Sequence, residues 1–203
     1  VNPGDEVIFA DPYFVMYRHL VRLLGGVPVT VDTYPSFKLK AGQIEAAITS
    51  KTKLLIVNSP SNPTGVSLSE VELREISAVA HRHKLLVITD EIYEALSYDE
   101  TPVTMYGMHE NVLLLNGFSK SAGMTGWRVG FAAGPEGILQ AMNTLQQYTF
   151  VCAPSIAQKA AVEALQTDMR ARVDAYRIKR DIVYNGLKDA FSVTRPNGAF
   201  YIF

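Results

Sequence analysis

Leu54-Leu55-Ile56-Val57 is an unbroken run of β-favouring apolar residues, and Leu85 to Ile88 and Val112 to Leu115 repeat the pattern. A strand with one wet face alternates apolar and polar residues. An unbroken apolar run needs cover on both faces. Helical spacing fills the gaps between these runs. Ser69 with Glu72 forms a capping box, and Leu73, Ile76 and Ala80 follow as one apolar stripe. Tyr17 to Leu24 reads as a helix stopped at Gly25-Gly26, and Gln43 to Ile48 as a shorter one. Further strands are predicted at Glu6 to Phe9, Val27 to Val31 and Val129 to Ala132. Strands alternating with helices imply an α/β fold, a mainly parallel sheet flanked by helices.

After Pro135 the pattern becomes helical. Helices are predicted at Ile138 to Tyr148, at Ser155 to Leu165 with Ser155 and Gln158 as a second capping box, and at Arg170 to Phe191. Val173, Tyr176, Val183 and Leu187 fall near one side of the last. Pro196-Asn197-Gly198 is a turn leading toward a new strand. The change near residue 168 divides the chain into a large domain, 1–167, and a segment, 168–203, holding an interdomain helix and the start of a smaller α+β domain. The chain starts at Val1 and ends in the apolar run Ala199 to Phe203, so it reads as a piece of a longer protein, incomplete at both ends.

Composition excludes several classes. Hydrophobic residues at 48% with charged residues at 19% suit a packed domain rather than a disordered chain. A net charge of -1 offers no footprint for nucleic acid or an anionic membrane. No apolar run approaches the ~20 residues of a membrane span. A single cysteine, Cys152, rules out an internal disulfide framework and suits a reducing, cytoplasmic compartment. Cys152 reads as a small buried hydrophobe, and His19 and His109 have no companions at metal-ligand spacing, so no metal site is expected. His81 and His83 read as solvated residues at a helix end.

In parallel α/β sheets ligands sit outside the carboxyl ends of the strands, so the residues after each strand carry the interest. After Val57 comes Asn58-Ser59-Pro60-Ser61-Asn62-Pro63-Thr64-Gly65; after Ile88 comes Thr89-Asp90-Glu91-Ile92-Tyr93; after Leu115 comes Asn116-Gly117-Phe118-Ser119-Lys120, with Arg128 eight residues further on. Each residue alone has an ordinary reading. Lys120 is a surface lysine, or an amine able to attack a carbonyl. Asp90 is a helix cap or ion-pair partner, or a carboxylate for a protonated pyridine nitrogen. Tyr93 is a half-buried aromatic, or a phenol that bonds a ring oxygen. Asn62 shapes a turn, Arg128 forms an ion pair or grips a phosphate, and Phe14 belongs to the core. The ordered set is more telling than any member, because each follows its own strand.

Ser59-Pro60-Ser61-Asn62-Pro63-Thr64-Gly65, Thr89-Asp90-Glu91-Ile92-Tyr93, and Phe118-Ser119-Lys120 with Met124-Thr125-Gly126-Trp127-Arg128-Val129-Gly130 resemble the signatures of the class I/II aminotransferases. These are pyridoxal-phosphate enzymes of the aspartate aminotransferase fold type. Asn2 to Val7 and Pro196 to Tyr201 also resemble family segments, so the likeness runs nearly end to end. The resemblance implies that Lys120 holds pyridoxal 5'-phosphate as an internal aldimine and then moves the proton. It implies that Asp90 bonds the pyridinium nitrogen, Tyr93 and Asn62 the ring oxygen, and Arg128 the phosphate, with Phe14 stacked on the ring. Family members often carry a serine three residues before the lysine. Here Gly117 stands there, which leaves that phosphate contact open, Ser119 being one substitute.

The implied activity moves an amino group between an L-amino acid and a 2-oxo acid. The alternatives are a lyase or synthase on the same scaffold, or an aminotransferase-like sensor domain of a transcription regulator. The resemblance also implies a homodimer. It puts a phosphate-binding turn, a substrate-carboxylate arginine and a partner-subunit tyrosine outside residues 1–203, which are therefore expected to be inactive alone.

Overall fold

The computed structural model describes all 203 residues. Six strands form one sheet: β1 (Glu6–Asp11), β2 (Val27–Asp32), β3 (Thr52–Asn58), β4 (Leu86–Asp90), β5 (Val112–Gly117) and β6 (Gly130–Ala133). Their order is β2-β1-β3-β4-β5-β6. All neighbours are parallel except β5 and β6, which pair antiparallel. The helices are α1 (Met16–Leu23), α2 (Ala41–Ala47), α3 (Glu70–Arg82), α4 (Glu136–Thr149), α5 (Ser155–Ala164) and α6 (Arg170–Leu187). None is long and apolar enough to cross a membrane.

The unbroken apolar runs have the cause expected of them. Successive side chains of a strand point to opposite faces. Leu55 and Val57 of β3 join Ile8 of β1 and Val87 of β4 in a core shared with Leu73, Ile76 and Ala80 of α3. Leu54 and Ile56 join Val7 and Phe9 in a second core with Val21 of α1 on the other face. A polar residue at any of these positions would be buried without a partner.

The Ser69 capping box forms in full: its Oγ accepts from Glu72 N–H, and the Glu72 carboxylate accepts from Ser69 N–H. The second box does not. Pro154 occupies the cap position of α5, and Gln158 donates instead to the Ala153 carbonyl at 2.7 Å. An extended proline just before a helix places the following serine inside the first turn, where its hydroxyl cannot cap. α6 stops at Leu187, and the Ala190 and Phe191 amides both return to the Leu187 carbonyl. Strands β1, β3 and β4 run past their predicted ends because parallel ladder bonds continue over polar residues, such as Asn58 opposite Asp90, and β5 does so through its antiparallel pairing of Asn116 and Gly117 with β6.

Candidate active site

The carboxyl ends of four adjacent parallel strands, β1, β3, β4 and β5, open onto one cavity of about 360 Å³. That volume falls within the roughly 300–1,000 Å³ of small-molecule sites. Phe14 and Tyr17 reach it from beyond β1, Asn58 and Asn62 from β3, Asp90 and Tyr93 from β4, and Lys120 from β5. Tyr201 enters from the far end of the chain. Five of the six expected site residues, Phe14, Asn62, Asp90, Tyr93 and Lys120, therefore share one space. Arg128 does not line it.

Asp90 ends β4 with its carboxylate clamped. The Tyr17 hydroxyl donates to Oδ2 at 2.6 Å, and the Ile92 amide donates to Oδ1 at 3.3 Å. Burial holds the Asp90 carboxyl above the ordinary aspartate value, while the Tyr17 and Ile92 donors pull the other way. For Tyr17, burial and then the neighbouring Asp90 charge push the phenol far up, so it keeps its proton and serves as the donor. Its ring is set edge-on against Phe9 at 6.0 Å and Phe14 at 5.7 Å. Next along the chain, Glu91 is 2% exposed, and its Oε1 accepts from Thr89, Thr104 and the Met105 amide. That anchor fixes the strand end from below.

Asn58 ties two loops together. Its amide nitrogen donates to the Asp90 carbonyl at 2.8 Å, and its oxygen accepts from the Asn62 backbone at 2.7 Å. The Ser59–Pro60 and Asn62–Pro63 peptides of this loop are cis. Gly65 closes the loop at φ +69°, and a Cβ there would meet the Pro196 side chain at 2.6 Å and the Tyr201 carbonyl at 2.8 Å. No other residue type fits both the conformation and the space.

Tyr93 is 3% exposed, and its hydroxyl lies 2.5 Å from that of Tyr201. Burial and then Tyr201 raise its phenol well above the usual value. The Lys120 ammonium lies 5.8 Å from the ring centroids of both Tyr93 and Phe200, so its neighbours are aromatic faces. Arg128 is exposed, sits in the left-handed region at φ 54°, and donates one N–H to the Thr125 carbonyl at 3.0 Å. A non-glycine residue held there is a local strain of the kind that gathers at functional sites. Gly117 pairs with Gly130 across β5 and β6, and a Cβ on it would lie 3.1 Å from Gly130 Cα. A side chain at this position would need its neighbours to give by a few tenths of an ångström.

Tyr17, Asn58 and Tyr201 are absent from the sequence expectation. Only the tyrosine hydroxyls and the asparagine beside Ser59 could have signalled them, and such residues are common. Cys152 is exposed rather than buried. His81, His109 and Glu110 also come together, with potential ligand atoms within 4.8 Å of one another, although sequence spacing leaves His109 alone. The His109 Nδ1 accepts from the Asn111 amide at 3.3 Å, which puts the ring proton on Nε2, the tautomer unable to ligate through that atom.

The family model described as aminotransferase class I and II matches residues 1–203. An aspartate/prephenate aminotransferase of Cereibacter sphaeroides is 44% identical over 216 aligned positions, covering 100% of this chain and 54% of that protein. Among solved structures, the aspartate aminotransferase of Thermus thermophilus with maleate superposes with a TM-score of 0.95 at 40% identity, covering 100% of this chain and 56% of that one. An aromatic aminotransferase from Pyrococcus horikoshii does so with 0.95 at 38%, covering 100% and 57%. The chain thus spans about half the length of the relatives it matches.

Proposed function

The chain belongs to the class I and II aminotransferases, and on that premise we propose that the whole protein is a pyridoxal-phosphate-dependent transaminase acting between an L-amino acid and a 2-oxo acid. The observation that carries the reading is the convergence of Lys120, Asp90, Asn62, Tyr93 and Phe14 on one cavity. The donor set fits the cofactor: an amine for its aldehyde, a buried carboxylate for its ring nitrogen, and an amide and a phenol for its ring oxygen. When bound, pyridoxal phosphate supplies an electron sink for negative charge at the substrate α-carbon.

The chain's own residues do the rest. Lys120 Nζ would hold the cofactor and would serve as the base for the substrate α-proton. Asp90, clamped by Tyr17 and Ile92, would hold a proton on the ring nitrogen. Tyr93 and Asn62 would bond the ring oxygen, and Phe14 would stack on the ring. Arg128 has spent one of its five donors on Thr125 and binds phosphate with the others. Residues 168–203 form the interdomain helix and the start of a smaller domain on this reading.

Borohydride reduction of the full-length protein with pyridoxal phosphate, followed by peptide mapping, tests this reading. Nine lysines lie within residues 1–203 alone, so selectivity is informative. Labelling concentrated at Lys120 and lost in Asp90→Ala supports the assignment; scattered labelling overturns it. Turnover that requires a 2-oxo acid acceptor separates transamination from elimination. We also propose a cytoplasmic homodimer. The exposed apolar residues Leu145, Tyr148, Phe150, Val151 and Ile156 of the α4–α5 region support burial of this face by further protein. A monomeric mass by light scattering would reject the dimer.

A further inference from the structure

We propose that Tyr201 is a positioning residue that donates to Tyr93 and so directs the Tyr93 proton into the cavity; this rests on the pyridoxal-phosphate reading. The Tyr93 ring is fixed by packing. It lies with Leu96 and Ala199 in one small core, edge-on to Tyr201 at 5.5 Å and to Phe200 at 5.4 Å. Packing fixes a ring but not the rotation of its O–H. A phenol has one proton to give and lone pairs with which to accept.

The Tyr93 and Tyr201 oxygens are 2.5 Å apart, so one of them is the donor. If Tyr93 gives its proton to Tyr201, none remains for an anionic ring oxygen. If Tyr201 gives, the Tyr93 proton is free, and the accepted bond polarises it into a stronger donor. An anion beside Tyr93 selects the second arrangement.

Tyr201 is held firmly enough for this role. The segment before it is tied to the loop that carries Asn62, through Gly198 N–H to the Gly65 carbonyl at 2.9 Å. It is tied to the loop that carries Tyr93 through Ala199 N–H to the Leu96 carbonyl at 2.9 Å, and by the Tyr98 hydroxyl to the Ala199 carbonyl. A Cβ on Gly198 would lie 2.6 Å from the Pro60 ring, so the segment sits directly on the Asn62 loop. One strap thus joins both loops whose side chains are assigned to the ring oxygen, and it delivers a second hydroxyl beside that of Tyr93.

The test is a double-mutant cycle on the full-length protein. Pyridoxal-phosphate affinity is measured for the parent, Tyr93→Phe, Tyr201→Phe and the double variant, together with absorbance against pH of each loaded form. Tyr201→Phe keeps the ring and should weaken affinity about two- to tenfold, the range of one neutral hydrogen bond. In the Tyr93→Phe background the same change should do nothing, because Tyr201 acts through the Tyr93 hydroxyl. An unchanged affinity in Tyr201→Phe, or an equal loss in both backgrounds, overturns the proposal. If Tyr201→Phe does not fold, a fluorinated tyrosine at position 201 replaces it. That residue should shift the absorbance profile with Tyr93 present and leave it unmoved in the Tyr93→Phe background; any other pattern refutes the proposal. Borohydride labelling of the parent separates the two levels. Failure to label Lys120 overturns the site itself, whereas Lys120 labelling with a flat cycle overturns only the role of Tyr201.

Discussion

Tyr17→Phe isolates the one side-chain hydroxyl bonded to the Asp90 carboxylate. It removes the hydroxyl that donates to Asp90 at 2.6 Å and keeps the ring that packs on Phe9 and Phe14. With Asp90 ionised, the lost bond is charge-assisted and should cost roughly 1.5–3 kcal/mol. With Asp90 protonated, it is a neutral bond of about 0.5–1.5 kcal/mol. The sign follows from linkage. Burial already raises the folded Asp90 carboxyl above its unfolded value, so folding favours the protonated form. The stability that Asp90 contributes is full below the unfolded value and is lost as pH rises through the folded one. Removing the Tyr17 donor raises the folded value further, so the extra loss appears on the neutral side. Urea unfolding of the parent and variant from acid to neutral pH reads this directly. The gap between them should be about 1 kcal/mol or more wider at neutral pH than in acid. A gap that is constant with pH, or wider in acid, would show that Asp90 does not depend on Tyr17 for its charge.

Three further outcomes are expected. Gly65→Ala places a methyl 2.6 Å from the Pro196 side chain at φ +69°, and should cost about 2–5 kcal/mol by chemical denaturation; a loss under ~1 kcal/mol would refute the close approach. Ser69→Ala breaks the capping box of α3 and should cost about 1 kcal/mol, whereas Ser155→Ala, at a serine that caps nothing, should stay within about 0.5 kcal/mol. Arg180→Met removes a guanidinium whose side chain is 3% exposed and which bonds Asp99 at 2.6 Å and the Pro196 carbonyl at 3.2 Å. It should lower the melting temperature by several degrees at low salt, and an unchanged melting curve would deny it any part in holding the Pro196 strap.

Local patterns along the chain were enough to specify the sheet and the order of its chemistry. Unbroken apolar runs state that both faces of a strand are covered, and that is a property of the run itself. The polar residue after each run is likewise local, so Asn62, Asp90 and Lys120 could be placed at strand ends before the strands were paired. The Ser69–Glu72 box was legible for the same reason, since both partners lie within one turn. The Ser155–Gln158 box failed because backbone geometry at Pro154 overrode the side-chain pattern. Arg128 was legible as a motif residue, but its place outside the cavity was not. The residues that support the site emerge only once the chain has folded. Tyr17 meets Asp90 across 73 residues, Tyr201 meets Tyr93 across 108, and Asn197 caps the Ser67 amide across 130. His81 and His109 likewise become neighbours only when α3 packs beside the segment that leads into β5. Periodicity reports which side of an element is buried. It carries no information on which distant hydroxyl arrives at that side, because strand order and the path of the returning chain set that contact.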